Sequence, residues 1–242
     1  MNRQTKLGVL GGMGPQATQV FYQLVLDRTG AASDQEHLPA LILSDTQIPD
    51  RTSAILSGRT EELYARLLDD VRLLEGCGCT AIAIPCNTSH YFVDRLQEAV
   101  EVPILHMIRE TAAVLRARGK RRPGILATDG TIRAGLYAKE CAAWGIEAVA
   151  PDSDTQKLVT SIIYDEIKQG KKGSLEKFAR IDRALQESGC DCAVLACTEL
   201  SVFSAYHTLS AYYLDAMAVL AEKAVAFCGY PLREIPPCAG VT

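Results

Sequence analysis

Two cysteines occupy matching places, one in each half of the chain, and they are the residues best suited to do chemistry. Cys86 closes the apolar run Ala81-Ile82-Ala83-Ile84-Pro85 and is followed by Asn87-Thr88. Cys197 closes Ala193-Val194-Leu195-Ala196 and is followed by Thr198-Glu199. A thiol gives up its proton at modest cost near neutral pH, so cysteine can take up or deliver a proton at a substrate carbon. One such residue would be a candidate nucleophile. Two in symmetric positions suggest a pair of thiols facing one substrate.

A short apolar run that stops at a cysteine and then turns small and polar reads as a buried parallel strand. Its last residue lies at the carboxyl edge of the sheet, where open α/β folds bind ligands. The correspondence extends to the start of each half. Gly8-Val9-Leu10-Gly11-Gly12-Met13-Gly14-Pro15 and Gly124-Ile125-Leu126-Ala127-Thr128-Asp129-Gly130-Thr131 share one register, and Phe21 matches Tyr137 in the helices that follow. All parallel strand–loop–helix units obey similar turn chemistry, so the glycine register alone leaves coincidence open. The added cysteine match decides for an internal duplication, two pseudo-symmetric α/β lobes with parallel sheets.

The remaining periodicities fit that plan. Strands are predicted over residues 6–10, 38–45, 80–85 and 102–106, with helices over 15–28, 61–76, 91–100 and 109–119. In the second half, strands are predicted over 124–128, 146–150, 192–196 and 212–214, with helices over 133–145, 155–169, 175–188 and 216–228. Such alternation means a parallel α/β fold. Residues 46–52 read as a polar loop, because Pro49 cannot continue a strand. The last strand and helix read as a return to the first lobe. That lobe would be discontinuous, residues 1–102 plus about 210–242, and the second would span 103–209. The proline-rich tail from residue 235 has little reason to be ordered.

Composition narrows the function. The 242 residues suffice for one large domain or two smaller ones, and 48% apolar content supplies a core. A formal net charge of −4 argues against a phosphate-backbone binder, so no nucleic-acid partner is expected. The basic stretch over 116–122 reads as a solvated helix end. No apolar run approaches the roughly 20 residues of a membrane span, and the first six residues carry no secretory signal. A reducing, cytoplasmic setting is therefore expected, without a disulfide framework. Among nine cysteines, Cys77, Cys79, Cys190 and Cys192 read as small buried hydrophobes. Their C-x-C spacing suits a zinc knuckle poorly, and no metal site is expected.

Gly12-Met13-Gly14-Pro15-Gln16-Ala17 fits the dinucleotide pattern, but that fingerprint needs an acidic residue ending the second strand about 20 positions on. Asp34 lies in a loop and Asp45 is too distant. The loop amides at a helix start would still suit a small anion such as a carboxylate. No lysine stands where pyridoxal phosphate would be anchored. His90, four residues after Cys86, suits a hydrogen bond to the loop better than a Cys-His pair, and His106 suits a strand-end hydrogen bond.

Four motifs in order carry a resemblance: Gly11-Gly12-Met13-Gly14-Pro15, Ile48-Pro49-Asp50-Arg51-Thr52, Pro85-Cys86-Asn87-Thr88-Ser89-His90 and Ala196-Cys197-Thr198-Glu199-Leu200. From Leu7 to about Gly229 the chain closely resembles the aspartate/glutamate racemase family, specifically its aspartate-racemase branch. The resemblance implies a dimeric enzyme that needs no cofactor, with the site between two lobes. It implies Cys86 and Cys197 as the acid/base pair, Arg51 as the partner of aspartate's side-chain carboxylate, and Lys168 as a second carboxylate ligand. Met13, Asn87, Thr88, Ser89, Thr198 and Glu199 would line the substrate. Some relatives carry threonine for the first cysteine; this chain keeps both, which favours full racemisation. Glutamate racemases carry histidine after Cys-Thr, so Glu199 weighs against glutamate specificity.

The chemistry suits the pair. Inverting a stereocentre by proton exchange needs a base on one face of Cα and an acid on the other. The expected activity is cofactor-independent interconversion of L- and D-aspartate, with glutamate as a further substrate. Rivals sharing two cysteines are hydantoin racemase, maleate isomerase and arylmalonate decarboxylase, against which Arg51 favours a substrate with a second carboxylate. A nucleotide- or ligand-binding module built on residues 12–17 would leave the two strand-end thiols unexplained.

Overall fold

The computed structural model describes residues 5–233. The first half runs β1 (Leu7–Gly11), α1 (Pro15–Arg28), β2 (Ala40–Ser44), α2 (Arg51–Ser57), α3 (Glu61–Gly76), β3 (Ala81–Ala83), α4 (Val93–Gln97), β4 (Ile104–Leu105) and α5 (Met107–Ala117). The second runs β5 (Pro123–Leu126), α6 (Asp129–Arg133), α7 (Leu136–Ala142), α8 (Ser153–Ser161), α9 (Leu175–Glu187), β6 (Cys192–Leu195), α10 (Thr198–Tyr206), β7 (Tyr213–Asp215) and α11 (Ala216–Phe227). Two parallel sheets result, ordered β2-β1-β3-β4 and β5-β6-β7. Val9 pairs with Ile42 on one side and Ala83 on the other. Val194 pairs with Ile125 and Leu214. A bridge from Gly124 to Val149 stands in the second sheet where β2 stands in the first. Both halves thus repeat one strand order, as the glycine and cysteine registers predict.

Every residue of β1 and β6 is buried, which demands the continuous apolar or small sequence seen there. Alternation along the strands then sorts side chains into layers. Val9, Ala83, Ile125 and Val194 face a central core shared by both halves, with Phe21, Tyr137, Met217 and Leu220. Leu10, Ile82 and Cys86 belong to an outer core under α3, and Leu126, Leu195 and Cys197 to its counterpart under α9. The two cysteines therefore leave equivalent faces of equivalent strands.

Several expectations change. The last strand does not return to the first lobe: β7 pairs with β6, and β4 pairs with β3. The division at residues 102 and 210 is corrected accordingly, since each cysteine strand needs its own following strand within its own sheet. What does cross between halves is α11, which packs on α1 and α5. The strand over 146–150 contracts to the single bridge at Val149. The helix over 133–145 divides, because Gly135 adopts φ +64° between α6 and α7. The helix over 155–169 starts earlier, capped by Asp152, then loosens into a π-turn (Ile162–Glu166) and tightens into a 3₁₀ turn (Ile167–Gln169). Cys77 is exposed just after α3, unlike the buried Cys79, Cys190 and Cys192. The tail expected to lack order lies outside the described residues. Among the described residues no helix is long and apolar enough to cross a membrane.

Candidate active site

The carboxyl ends of both sheets meet over a cleft of about 270 Å³. Met13 enters it from the loop after β1, and Arg51 and Thr52 from the start of α2. Cys86, Asn87 and Thr88 follow β3; Cys197, Thr198 and Glu199 follow β6; Tyr164 and Lys168 come from the π and 3₁₀ turns. Every predicted site residue except Ser89 lines this cleft. Ser89 lies behind the wall, fully buried, with its hydroxyl 3.1 Å from Met13 Sδ. Asp50, Thr52, Thr128 and Tyr164 also line it, although sequence reasoning did not single them out. For Tyr164 a signal existed, since it sits four positions before Lys168, the spacing that shares a helical face. Its ring lies 5.2 Å from Lys168 Nζ.

Arg51 occupies a helix start, not the loop read from sequence. Asp50 caps α2 by accepting from the Ser53 amide, so the chain turns helical directly after Pro49. The buried guanidinium donates to the carbonyls of Ile48, Pro49 and Met13 at 3.1–3.3 Å. Burial alone would lower its pKa, but negative charge at Cys86, Asp50 and Glu199 outweighs this and raises it. A fixed positive charge beside Cys86 is the result.

Cys197 has a different neighbour. It is the N-cap of α10, and its Sγ donates to Glu199 Oε2 at 2.9 Å. Helix dipoles favour a thiolate at such a position. Burial first, and the Glu199 carboxylate second, override that preference and push the thiol well above its ordinary pKa. The other Glu199 oxygen accepts from Lys168 Nζ at 3.1 Å. Burial would lower the Lys168 pKa, but the Glu199 carboxylate outweighs it and raises it. Lys168 is thus placed in the site but engaged with Glu199.

The residues after each cysteine secure it. His90 lies on the 3₁₀ turn after Cys86 and pairs through Nδ1 with the Cys86 carbonyl at 2.9 Å. Its Nε2 accepts from the Met107 amide at the start of α5. It is the loop hydrogen-bonder expected from its spacing. His106 caps the same helix by accepting from the Arg109 amide. Thr88 joins the lobes, its hydroxyl 3.1 Å from that of Thr128 and 2.9 Å from that of Thr131. Asn87 accepts from Tyr137 through Oδ1, while its buried Nδ2 has no partner in the protein.

Two glycines let the walls close. A Cβ on Gly12, at φ +89°, would overlap the Asp45 main chain at 2.2 Å. One on Gly130 would stand 2.9 Å from Thr52 Cα, where α6 crosses α2. Beside the cleft lies a larger hollow of about 910 Å³ that shares Arg51, Lys168 and Glu199 with it. Among the described residues no group of three histidine, cysteine or acidic side chains could hold a metal ion.

Two thiols and two cations around one small cleft are groups that can bind a carboxylate and exchange a proton at the adjacent carbon. Similarity to known proteins agrees with this arrangement. The chain is 28% identical over 227 residues to the broad specificity amino-acid racemase RacX of Bacillus subtilis (strain 168), covering 91% of this chain and 96% of that one. It superposes on the Picrophilus torridus aspartate racemase with a TM-score of 0.80 at 28% identity, over 95% and 96% of the two chains. Glutamate racemase from Campylobacter jejuni shares the fold at a TM-score of 0.61 and 19% identity, over 95% of this chain and 87% of that one. Residues 10–224 match the family model described as Asp/Glu/Hydantoin racemase, and the chain belongs to that family.

Proposed function

We propose that this protein is a cofactor-independent racemase that interconverts L- and D-aspartate by proton transfer between Cα and the thiols of Cys86 and Cys197. The observation that carries the reading is the placement of both cysteines, each only 6% exposed, in one cleft but on loops from different sheets. One thiolate removes the Cα proton and becomes a thiol. The opposite thiol delivers its proton to the other face and becomes a thiolate. The reverse reaction exchanges the roles, and no group is consumed. The electron pair released at Cα spreads into the α-carboxylate, where hydrogen-bond donors stabilise it. Asn87 Nδ2, a buried donor without a protein partner, is the side-chain group suited to hold that carboxylate in substrate and product alike. Arg51 and Lys168 supply positive charge for a substrate with two carboxylates.

Burial, and then the Glu199 carboxylate, keep a proton on Cys197, so this residue is the acid of the free enzyme. The adjoining hollow, reached past Arg51 and Lys168, favours a second reading within the same chemistry, in which longer acidic amino acids such as glutamate are also accepted.

Incubation of the purified protein in D₂O with each enantiomer of aspartate tests the proposal. Polarimetry should show loss of rotation, and NMR should show loss of the Cα proton signal, without added pyridoxal phosphate or metal. Cys86→Ser and Cys197→Ser should each slow racemisation by about 10²–10⁴-fold, the usual contribution of a positioned acid or base. Near-wild-type racemisation by either variant would sink the two-base reading. Turnover of neutral amino acids with aspartate inert would overturn the substrate assignment.

A further inference from the structure

An amide side chain can bind a carboxylate only if its nitrogen, not its oxygen, faces the ligand. The two orientations of Asn87 are nearly identical in shape, so packing cannot choose between them. In this structure a hydrogen bond at the other end does so, with a hydroxyl donating to the amide oxygen. Tyr137 lies on α7 of the second half, 2% exposed in the central core, with its hydroxyl 2.6 Å from Asn87 Oδ1. Burial, chiefly, raises its pKa well above the ordinary value, so the phenol keeps its proton and remains a donor. With the amide oxygen held by that donor, Nδ2 is left without a protein partner, on a residue that lines the cleft next to Cys86.

We infer that Tyr137 is a positioning residue for substrate binding: it fixes the Asn87 amide with its NH₂ group toward the substrate carboxylate. This rests on the racemase reading above. It also assigns work to a residue that touches no substrate and belongs to the opposite half of the chain. The matching residue of the first half, Phe21, has no hydroxyl, so the repeated position has been put to this use only once.

Steady-state kinetics in both directions test it on Tyr137→Phe and Asn87→Asp, with the amino acid that the wild-type enzyme racemises fastest. Tyr137→Phe frees the amide to turn its oxygen inward, and KM should rise about tenfold while kcat changes less than about threefold. Asn87→Asp keeps an acceptor for Tyr137 but replaces the inward donor with an oxygen, and KM should rise further. An unchanged KM in Tyr137→Phe, or a fall in kcat that tracks a loss of thermal stability, would reduce Tyr137 to a packing residue and overturn the inference. So would an Asn87→Asp variant with wild-type KM, because the amide oxygen would then face the ligand. Wild-type turnover of aspartate reads the substrate proposal separately from these ratios.

Discussion

The Arg51 guanidinium is committed to three main-chain carbonyls as well as facing the cleft, so it braces the site and charges it at once. A substitution should reveal both duties. Removing a charge-assisted hydrogen bond costs about 2–3 kcal/mol, or tens- to hundredfold in kcat/KM. Arg51→Met should lose that much on aspartate. On alanine or serine, which lack a second carboxylate, it should lose only what bracing contributes. Arg51→Lys should recover part of the aspartate loss, because an ammonium keeps the charge but cannot fork between carbonyls. Equal losses on acidic and neutral substrates, measured as kcat/KM, would assign Arg51 to bracing alone. The identities of such residues were legible in the sequence, because cysteines and an arginine punctuate otherwise apolar or turn-forming stretches. Their partners were not. The Cys197–Glu199 contact depends on the tight geometry of a helix start, and the Asn87–Tyr137 contact joins residues 50 positions apart.

Elements show the same division between what a local pattern states and what packing decides. Most strands and amphipathic helices follow from period, but the strand over 146–150 shrinks to a bridge and the helix over 133–145 divides at Gly135. The π-turn that carries Tyr164 into the cleft has no such signature, since its residues read as ordinary helix. The start of α2 was hidden because Pro49 read as a breaker when it precedes a capping aspartate. The turn after Cys86 carries a testable consequence. His90 ties it to α5, and its pKa is pushed down to about 4, by burial first and by His106 next. In the unfolded chain the ring takes up its proton near pH 6.5. Between these values the unfolded state holds more protons, so the contribution is complete above pH 6.5 and is lost as pH falls toward about 4. His90 should account for about 2 kcal/mol of stability lost between pH 7 and pH 5. Urea unfolding at both pH values should show a smaller loss in His90→Gln than in wild type. Equal losses would mean that His90 is not buried as a neutral ring.

At the scale of the whole molecule, the seam between the halves is what assembles the site. Gly130 permits it, because any side chain there meets the Thr52 main chain on the helix that carries Arg51. Gly130→Ala should destabilise the protein by about 1–3 kcal/mol, the usual cost of overpacking, and should depress activity more than that loss explains. Gly76→Ala, at the end of α3 with open space around it, is the control and should leave both unchanged. Thermal melts beside racemisation rates decide it; an active, stable Gly130→Ala would show that the halves can shift apart freely. The duplication itself was readable from the paired registers, and the last helix was read as returning to the first half, where α11 packs on α1 and α5. That β7 before it stays in the second sheet was not legible, since no local pattern encodes which strand it pairs with. A chain of L-residues cannot build the mirror image of its own catalytic group. It can instead repeat that group about an axis, and the two copies then acquire different neighbours, Arg51 beside Cys86 and Glu199 beside Cys197. Enantiomers have equal free energies in water, so the interconversion has an equilibrium constant of unity. kcat/KM must therefore be identical in the two directions, however unlike the half-sites become. Their inequality can show itself only as matched differences in kcat and KM, one hand of the substrate held tightly and turned over slowly, the other held loosely and turned over fast.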